Sequence, residues 1–180
     1  MATNRPWPRR LAPRRSILQS GTTGRLAVHS VSKRSNLAGL RVGFYAGDPD
    51  LVHYLSEVRK HAGFMVPGPA QHAAAAALAD DAHVELQAER YRRRLGRMAQ
   101  ILEDAFGIPA SLPGGGLYLW AEAPRDDAWG FAARLADEAG CLVAPGELFG
   151  ETSGAHVRVA LVQPDERIEL VAQRLGVGAA

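Results

Sequence analysis

Short apolar segments alternate with amphipathic helical segments through the last third of the chain, and this alternation constrains the fold more than any other feature. Apolar runs at residues 117–120, 141–143 and 157–161 have the length and composition of strands. Helical spacing of apolar residues marks residues 129–139 and 164–175. Because strands that alternate with helices pack in layers, we predict an α/β fold for this region.

The region upstream of residue 110 also carries helix and strand signals. The predicted elements are strands at residues 26–31 and 42–45, and helices over residues 48–63, over the alanine-rich stretch 73–77 and near residues 83–104. The pair Asp48 and Pro49 is typical of a helix start, since it combines a cap with a first-turn proline. The alanine-rich stretch is interpreted as a tightly packed helix.

The net charge of +2 conceals an uneven distribution. Residues 1–47 carry eight arginines, one lysine and no acidic residue, which gives +9, and the rest of the chain carries −7. The arginines of the helix near residues 83–104 are interpreted as a solvated face balanced by Glu85 and Glu89. A nucleic-acid partner would rest on the basic head alone, without stacking aromatics or a recognition motif, and we expect none.

Composition also limits the cellular setting. Cys141 is the single cysteine and cannot form an internal disulfide, which favours a reducing cytoplasm. No apolar run approaches the length of a membrane span, and no apolar segment follows the first arginines as a secretory signal would require. We expect no metal site, because the histidines share no metal-ligand spacing. The histidines other than His29 are His53, His61, His72, His83 and His156.

The stretch at residues 30–43 holds the residues with the clearest chemical potential. Lys33 follows a predicted buried strand, and a desolvated lysine amine loses its proton and becomes a nucleophile toward aldehydes. The hydroxyls of Ser30 and Ser32 and the guanidinium of Arg41, eight residues after the lysine, are groups that a phosphate monoester would need. The spacing by itself does no more than suggest such a site, since a lysine that follows a strand is usually exposed to solvent.

The same stretch resembles, position for position, the cofactor-lysine signature of class I and II aminotransferases, which depend on pyridoxal 5′-phosphate (PLP). The resemblance implies that Lys33 is catalytic and binds the cofactor covalently, and that Ser30 and Arg41 hold its phosphate, with Ser32 a weaker candidate. It also implies that Arg158, within residues 157–161, binds the substrate's α-carboxylate. The implied fold is the α/β C-terminal small domain of a fold-type I PLP-dependent transferase, with a remnant of the large-domain sheet.

The resemblance to the family extends from about Gly24 to Leu175. Within the family, the sequence most resembles succinyldiaminopimelate transaminases. The stretches that carry this finer resemblance are residues 29–33, 58–67, 115–120 and 142–146. The implied organisation is a basic head without family likeness at residues 1–24, a remnant of the PLP-binding domain at 25–68, and a long helix with the small domain at 69–180. Residues 1–20 are expected to be poorly ordered. Amino-acid and 2-oxo-acid substrates and a homodimer are implied for the full-length family.

Family members carry most of their large domain before the cofactor lysine, including an aspartate that pairs with the pyridine nitrogen. Residues 1–32 contain no acidic residue. Two alternatives therefore stay open: a truncated transaminase whose activity belongs to the complete protein, and a non-catalytic remnant that acts as a binding or oligomerisation module. Two further residues have both a functional and a packing interpretation. His29 is either catalytic or a residue that packs or hydrogen-bonds in its strand, and Tyr118 either lines the substrate pocket or packs across strands. Cys141 is interpreted as a small core residue.

Overall fold

The computed structural model describes residues 16–178, which form two compact units. The first unit contains residues 16–87 and the second contains residues 88–178, and the division lies inside one long helix. No helix within this range is long and apolar enough to cross a membrane. The predicted disorder of the head concerns residues that lie mostly outside the described range; residues 17–20 form a 3₁₀ turn capped by the Ser16 side chain.

A two-stranded antiparallel sheet begins the first unit and confirms both strands predicted there. Strand β1 (Leu26–Ser30) pairs with β2 (Gly43–Gly47), so that Ser30 lies opposite Gly43. The expectation that β1 is a buried strand is wrong. Ala27 is its only buried residue and Val28 is 73% exposed, because no second layer of this unit covers that face of the strand.

Three helices complete the first unit: α1 (Val31–Arg34), α2 (Pro49–His61) and α3 (Gly68–Leu78). The predicted cap of α2 is confirmed, since the Asp48 carboxylate accepts a hydrogen bond from the backbone N–H of Asp50 at 2.9 Å. The alanine-rich helix α3 is not tightly packed as expected, since Ala74 is its only buried residue. The small core of the unit consists of Val31, Val42 and Ala74 with partly buried neighbours.

The second unit is the predicted α/β layer. Its three-stranded antiparallel sheet has the order β3 (Tyr118–Glu122), β5 (His156–Ala160) and β4 (Ala144–Pro145). Alternate residues of β3 and β5 point into the core, among them Leu119, Val157 and Val159. Helices α5 (Ala128–Ala139) and α6 (Asp165–Arg174) confirm the two predicted C-terminal helices.

The long helix predicted near residues 83–104 is α4 (Ala82–Phe106). Its buried residues are Leu95, Met98, Ile101 and Leu102, which join the same core. The arginine face of α4 agrees with the prediction in part, since Arg92 pairs with Glu89 at 2.9 Å, and differs from it at two other arginines. Arg94 and Arg97 are largely buried and pair with Asp165 and Glu169 of α6, so this face fastens two helices together.

The predicted strand at residues 141–143 does not form, and β4 begins only at Ala144. Gly140 adopts a left-handed conformation (φ 63°) at the end of α5, and the Cys141 N–H donates to the Leu135 carbonyl at 3.0 Å. The chain leaves the helix through this cap, so the segment that follows pairs with β5 from Ala144, three residues later than its apolar composition suggested.

Candidate active site

Two serine hydroxyls and one lysine lie within four residues at the junction of β1 and α1. Ser30 caps α1, and its Oγ accepts a hydrogen bond from the Ser32 N–H at 3.1 Å. The Oγ atoms of Ser30 and Ser32 are 3.0 Å apart and both side chains face solvent at least in part. Lys33 is the third residue of the short helix. The structure therefore brings together three of the predicted site residues.

The exposure of Lys33 corrects the sequence expectation. Its side chain is exposed rather than desolvated at the end of a buried strand. The cause lies in β1, whose last three residues are themselves exposed in this unit. Desolvation therefore cannot be the source of special reactivity at Lys33 in the chain as it stands.

Arg41 lies where the chain turns from α1 back into β2, and the turn requires unusual backbone geometry. Its φ and ψ are 54° and 43°, in the left-handed region that a non-glycine residue seldom adopts. The exposed guanidinium donates from Nη1 to the Ala38 carbonyl at 3.0 Å. Ser30 remains linked to this turn, since its Oγ lies 3.4 Å from the Val42 carbonyl. Within residues 16–178 the other donors of the Arg41 guanidinium make no hydrogen bond, and they are suited to an anion.

Arg158 belongs to the second unit, on the central strand β5, and aromatic rings enclose it. Its guanidinium carbon lies 4.5 Å from the ring centroid of Tyr118 and 4.2 Å from that of Phe149. The two rings hold the planar guanidinium by cation–π contacts. Its Nε is buried and has no hydrogen-bond partner within the described residues. This unsatisfied donor is suited to a carboxylate, which accepts two parallel hydrogen bonds from a guanidinium.

Sequence analysis missed part of this aromatic group. Trp120 stacks on His156 with centroids 5.5 Å apart and meets Phe149 edge-on at 5.8 Å. Alternation along β3 could have identified Trp120, because it is two residues from Tyr118 and shares its face. Phe149 follows β4 in a 3₁₀ turn, and no periodicity marks it. Tyr118 contacts Arg158 through its ring, and this contact is compatible with both the substrate-pocket and the packing interpretation of the residue.

The residues at the junction of β1 and α1 fit part of a PLP site. Neighbouring hydroxyls suit a phosphate monoester, and a lysine amine suits an aldehyde. No acidic residue precedes Lys33 in the sequence to pair with a pyridine nitrogen. These residue types are therefore chemically compatible with the phosphate and aldehyde groups of PLP.

Comparison with known proteins places this arrangement in a family. The family Aminotransferase class I and II matches residues 4–175, so the match begins upstream of Gly24, where the sequence analysis placed the start of the likeness. The chain is 53% identical over 154 residues to the 4-dedimethylamino-4-oxo-anhydrotetracycline transaminase OxyQ of Streptomyces rimosus, covering 84% of this chain and 42% of that protein. It is 48% identical to the probable aminotransferase Rv1178 of Mycobacterium tuberculosis, over 89% of this chain and 38% of the relative.

Solved structures agree. The apo structure of BacF from Bacillus subtilis superposes with a TM-score of 0.72 at 30% identity, covering 83% of this chain and 41% of BacF. An aminotransferase from Staphylococcus aureus gives a TM-score of 0.72 at 34% identity, over 83% of this chain and 40% of that one. The chain spans about two fifths of the length of the curated relatives that it matches. From its cofactor-lysine signature, its fold and these matches, the chain belongs to the class I and II aminotransferases, a family of PLP-dependent enzymes.

Proposed function

We propose that the complete protein is a transaminase in which this chain provides the cofactor lysine and the carboxylate-binding arginine. The observation that carries the proposal is the grouping of Lys33 with the hydroxyls of Ser30 and Ser32, within a chain that matches the family over residues 4–175. The first steps of the reaction would depend on residues that this chain already contains.

Each residue has a role that follows from its chemistry. Ser30, Ser32 and Arg41 would hold the phosphate of PLP, which when bound supplies the electron sink for carbanion chemistry. Lys33 would bind the cofactor's aldehyde end and act as the base for the proton on the substrate's α-carbon. Arg158 would bind the α-carboxylate through both guanidinium edges, and the rings of Tyr118 and Phe149 would fix the guanidinium plane.

For the substrates, we propose amino transfer between N-succinyl-LL-2,6-diaminopimelate and 2-oxoglutarate, with glutamate as the other partner, in diaminopimelate and lysine biosynthesis. The support is the likeness of residues 29–33, 58–67, 115–120 and 142–146 to succinyldiaminopimelate transaminases. Relatives named LL-diaminopimelate aminotransferase, from Dehalococcoides mccartyi and Aquifex aeolicus, are 32% and 34% identical to this chain. Their name contains the same diaminopimelate skeleton, which also supports this substrate.

A ring ketone is a second candidate acceptor. OxyQ, at 53% identity, is named for a transaminase of an oxo-anhydrotetracycline, which is a flat fused-ring ketone. The aromatic surface of Trp120 and Phe149, both partly exposed beside Arg158, could stack on such a ring. A cytoplasmic location and a homodimer remain further proposals, from the single cysteine and the family respectively. A non-catalytic remnant is the alternative to any transaminase.

The test joins residues 16–180 to the upstream half of a close relative and compares amino donors in the resulting enzyme. We expect the succinylated diaminopimelate to give the highest kcat/KM with 2-oxoglutarate as acceptor. Faster turnover with an aromatic or branched-chain donor would exclude the substrate and leave the transaminase proposal standing. A joined protein that binds PLP but transfers no amino group from any donor would favour the non-catalytic remnant.

A further inference from the structure

A cleft in the second unit has no role in the proposed reaction. It has a volume of about 450 Å³ and lies between the segment after α5, the end of β5 and one face of α6. Core residues, among them Val159, Ile168 and Val171, form its floor. Leu142, which is 88% exposed, and Val162, which is 53% exposed, stand at its edges. The volume is within the range of small-molecule sites.

The cleft exists because β4 joins β5 late. Ala144 pairs with Arg158, and the same register continued for two more residues would pair Leu142 with Ala160. The Leu161 N–H donates to the carbonyl of Leu117, the residue before β3, so the backbone polar groups of Ala160 point to the opposite side, into the gap. This exposed strand edge offers hydrogen-bonding groups to whatever fills the cleft.

The charged groups of the cleft have one sign. Arg167 and Arg174, seven residues apart on α6, and Gln163 are its polar side chains, and none of the residues that line it is acidic. Arg174 donates from Nη1 to the Ala139 carbonyl at 3.1 Å, which fixes it against the end of α5. Arg167 is exposed and has no side-chain hydrogen bond or ion pair among residues 16–178. By contrast, Arg94 and Arg97 of α4 form ion pairs with Asp165 and Glu169 of α6.

We propose that this cleft binds a small amphipathic carboxylate, an anion with a short apolar chain. The apolar chain would cover the floor between Leu142 and Val162, where its burial is favourable. The carboxylate would accept hydrogen bonds from Arg167 and from the free edge of Arg174. Arg158 does not line this cleft. Binding of the ligand there would require neither PLP, nor Lys33, nor the proposed transaminase activity.

Cys141 gives a direct readout because it lines the cleft and is the only cysteine of the chain. Burial raises the pKa of its thiol, so its alkylation is slow and sensitive to further coverage. The experiment measures the rate of Cys141 alkylation by iodoacetamide, a neutral reagent, in the 180-residue chain with increasing octanoate. Octylamine is the matched probe of opposite charge, and acetate is the matched probe without the apolar chain.

We expect octanoate to slow alkylation in a saturable way, and octylamine and acetate to have little effect over the same concentrations. Arg167→Gln should raise the half-saturating octanoate concentration about threefold to fivefold, the size typical of an exposed ion pair. Arg92→Gln, which removes an equal charge on α4 outside the cleft, should leave it unchanged. Equal slowing by octylamine, no slowing by octanoate, or the same shift in both arginine variants would overturn the proposal. Backbone amide shifts of Ala160 and Val162 on octanoate addition give a second test, and their absence would also contradict it.

Discussion

At the scale of single residues, the sequence singles out Lys33 as the candidate cofactor lysine, but the predicted burial of its side chain is wrong. The spacing of Ser30, Ser32, Lys33 and Arg41 is a local property of the sequence, and the structure brings the first three together. Exposure depends on what covers β1, and one residue of that strand is buried within the unit. A signature can therefore identify a lysine without determining how much water surrounds it.

Arg158 shows the opposite case, in which the structure adds to a role that the resemblance implied. Its guanidinium lies between Tyr118 and Phe149, and its Nε is buried and unsatisfied within the described chain. A lysine in its place would present a point charge that neither stacks nor forms two parallel hydrogen bonds. These contacts therefore predict a specific effect of replacing Arg158 with lysine.

Arg158→Lys in the joined enzyme should lower kcat/KM for the amino donor by about tenfold to a hundredfold, the cost of losing a charged hydrogen bond of about 1.5–3 kcal/mol. Most of the loss should be in KM, because the arginine binds the carboxylate in the ground state and in the transition state alike. Steady-state kinetics measure the split. Arg134→Lys, an exposed arginine paired with Glu138, is the control and should leave kcat/KM unchanged. Wild-type kinetics of the Arg158→Lys enzyme would show that Arg158 does not bind the substrate carboxylate.

At the scale of elements, the helices and the central strands followed from periodicity, while contacts between elements did not. Helices α2, α4, α5 and α6 lie where apolar spacing predicted them. The short β4 was missed because its start is set by the left-handed cap at Gly140, which competes with strand pairing. The arginines of α4 were assigned to partners on their own helix, but Arg94 and Arg97 bind α6, and pairing across more than seventy residues leaves no local pattern.

The α4–α6 contact predicts a dependence of stability on pH. Arg97 donates two hydrogen bonds to Glu169, at 2.8 and 2.7 Å, and these hold the pKa of that carboxyl below its usual value. A carboxyl whose pKa is lower in the folded state stabilises the fold above its unfolded pKa of about 4.3, and this contribution disappears as the pH falls through the lowered value. Asp165 follows the same rule through Arg94.

Glu169→Gln should therefore lower the free energy of unfolding at pH 7 by about 0.5 kcal/mol, a modest value because the Glu169 side chain is half exposed. At pH 3, which is closer to the lowered pKa of Glu169, the difference in stability between the variant and the wild type should be smaller than at pH 7. The free energy of unfolding is measured by urea denaturation at both pH values. Glu166→Gln, a substitution on the same helix, is the matched control. A difference that persisted unchanged at pH 3 would mean that the glutamate contributes through packing and not through its charge.

At the scale of the whole molecule, the two units differ in how much core they hold. The second unit has a continuous core from α4, the sheet, α5 and α6, whereas the described residues of the first unit include four buried apolar residues, Ala27, Val31, Val42 and Ala74. Sequence reasoning predicted the α/β layer of the second unit because both of its layers are encoded within it. It overestimated burial in the first unit, where strand composition was read as evidence for a covering layer that residues 16–87 do not supply.

The central claim is that Lys33 is the cofactor lysine, and Lys60 makes the test clean because these two are the only lysines in the chain. Lys60 is also exposed and lies 3.4 Å from Glu57, so solvent access alone gives it no disadvantage. The measurement is incubation of the 180-residue chain with PLP, borohydride reduction and peptide mapping. The feature that distinguishes Lys33 is its position beside the hydroxyls of Ser30 and Ser32, which we propose contact the phosphate of PLP.

We predict that PLP labels Lys33 in preference to Lys60, that Ser30→Ala combined with Ser32→Ala removes the preference, and that pyridoxal without phosphate shows none. Turnover should be negligible, because no acidic residue precedes Lys33 to pair with the pyridine nitrogen. Equal labelling of Lys33 and Lys60 by PLP, or a preference that survives loss of both hydroxyls, would contradict the assignment of this stretch as the phosphate and lysine portion of a PLP site.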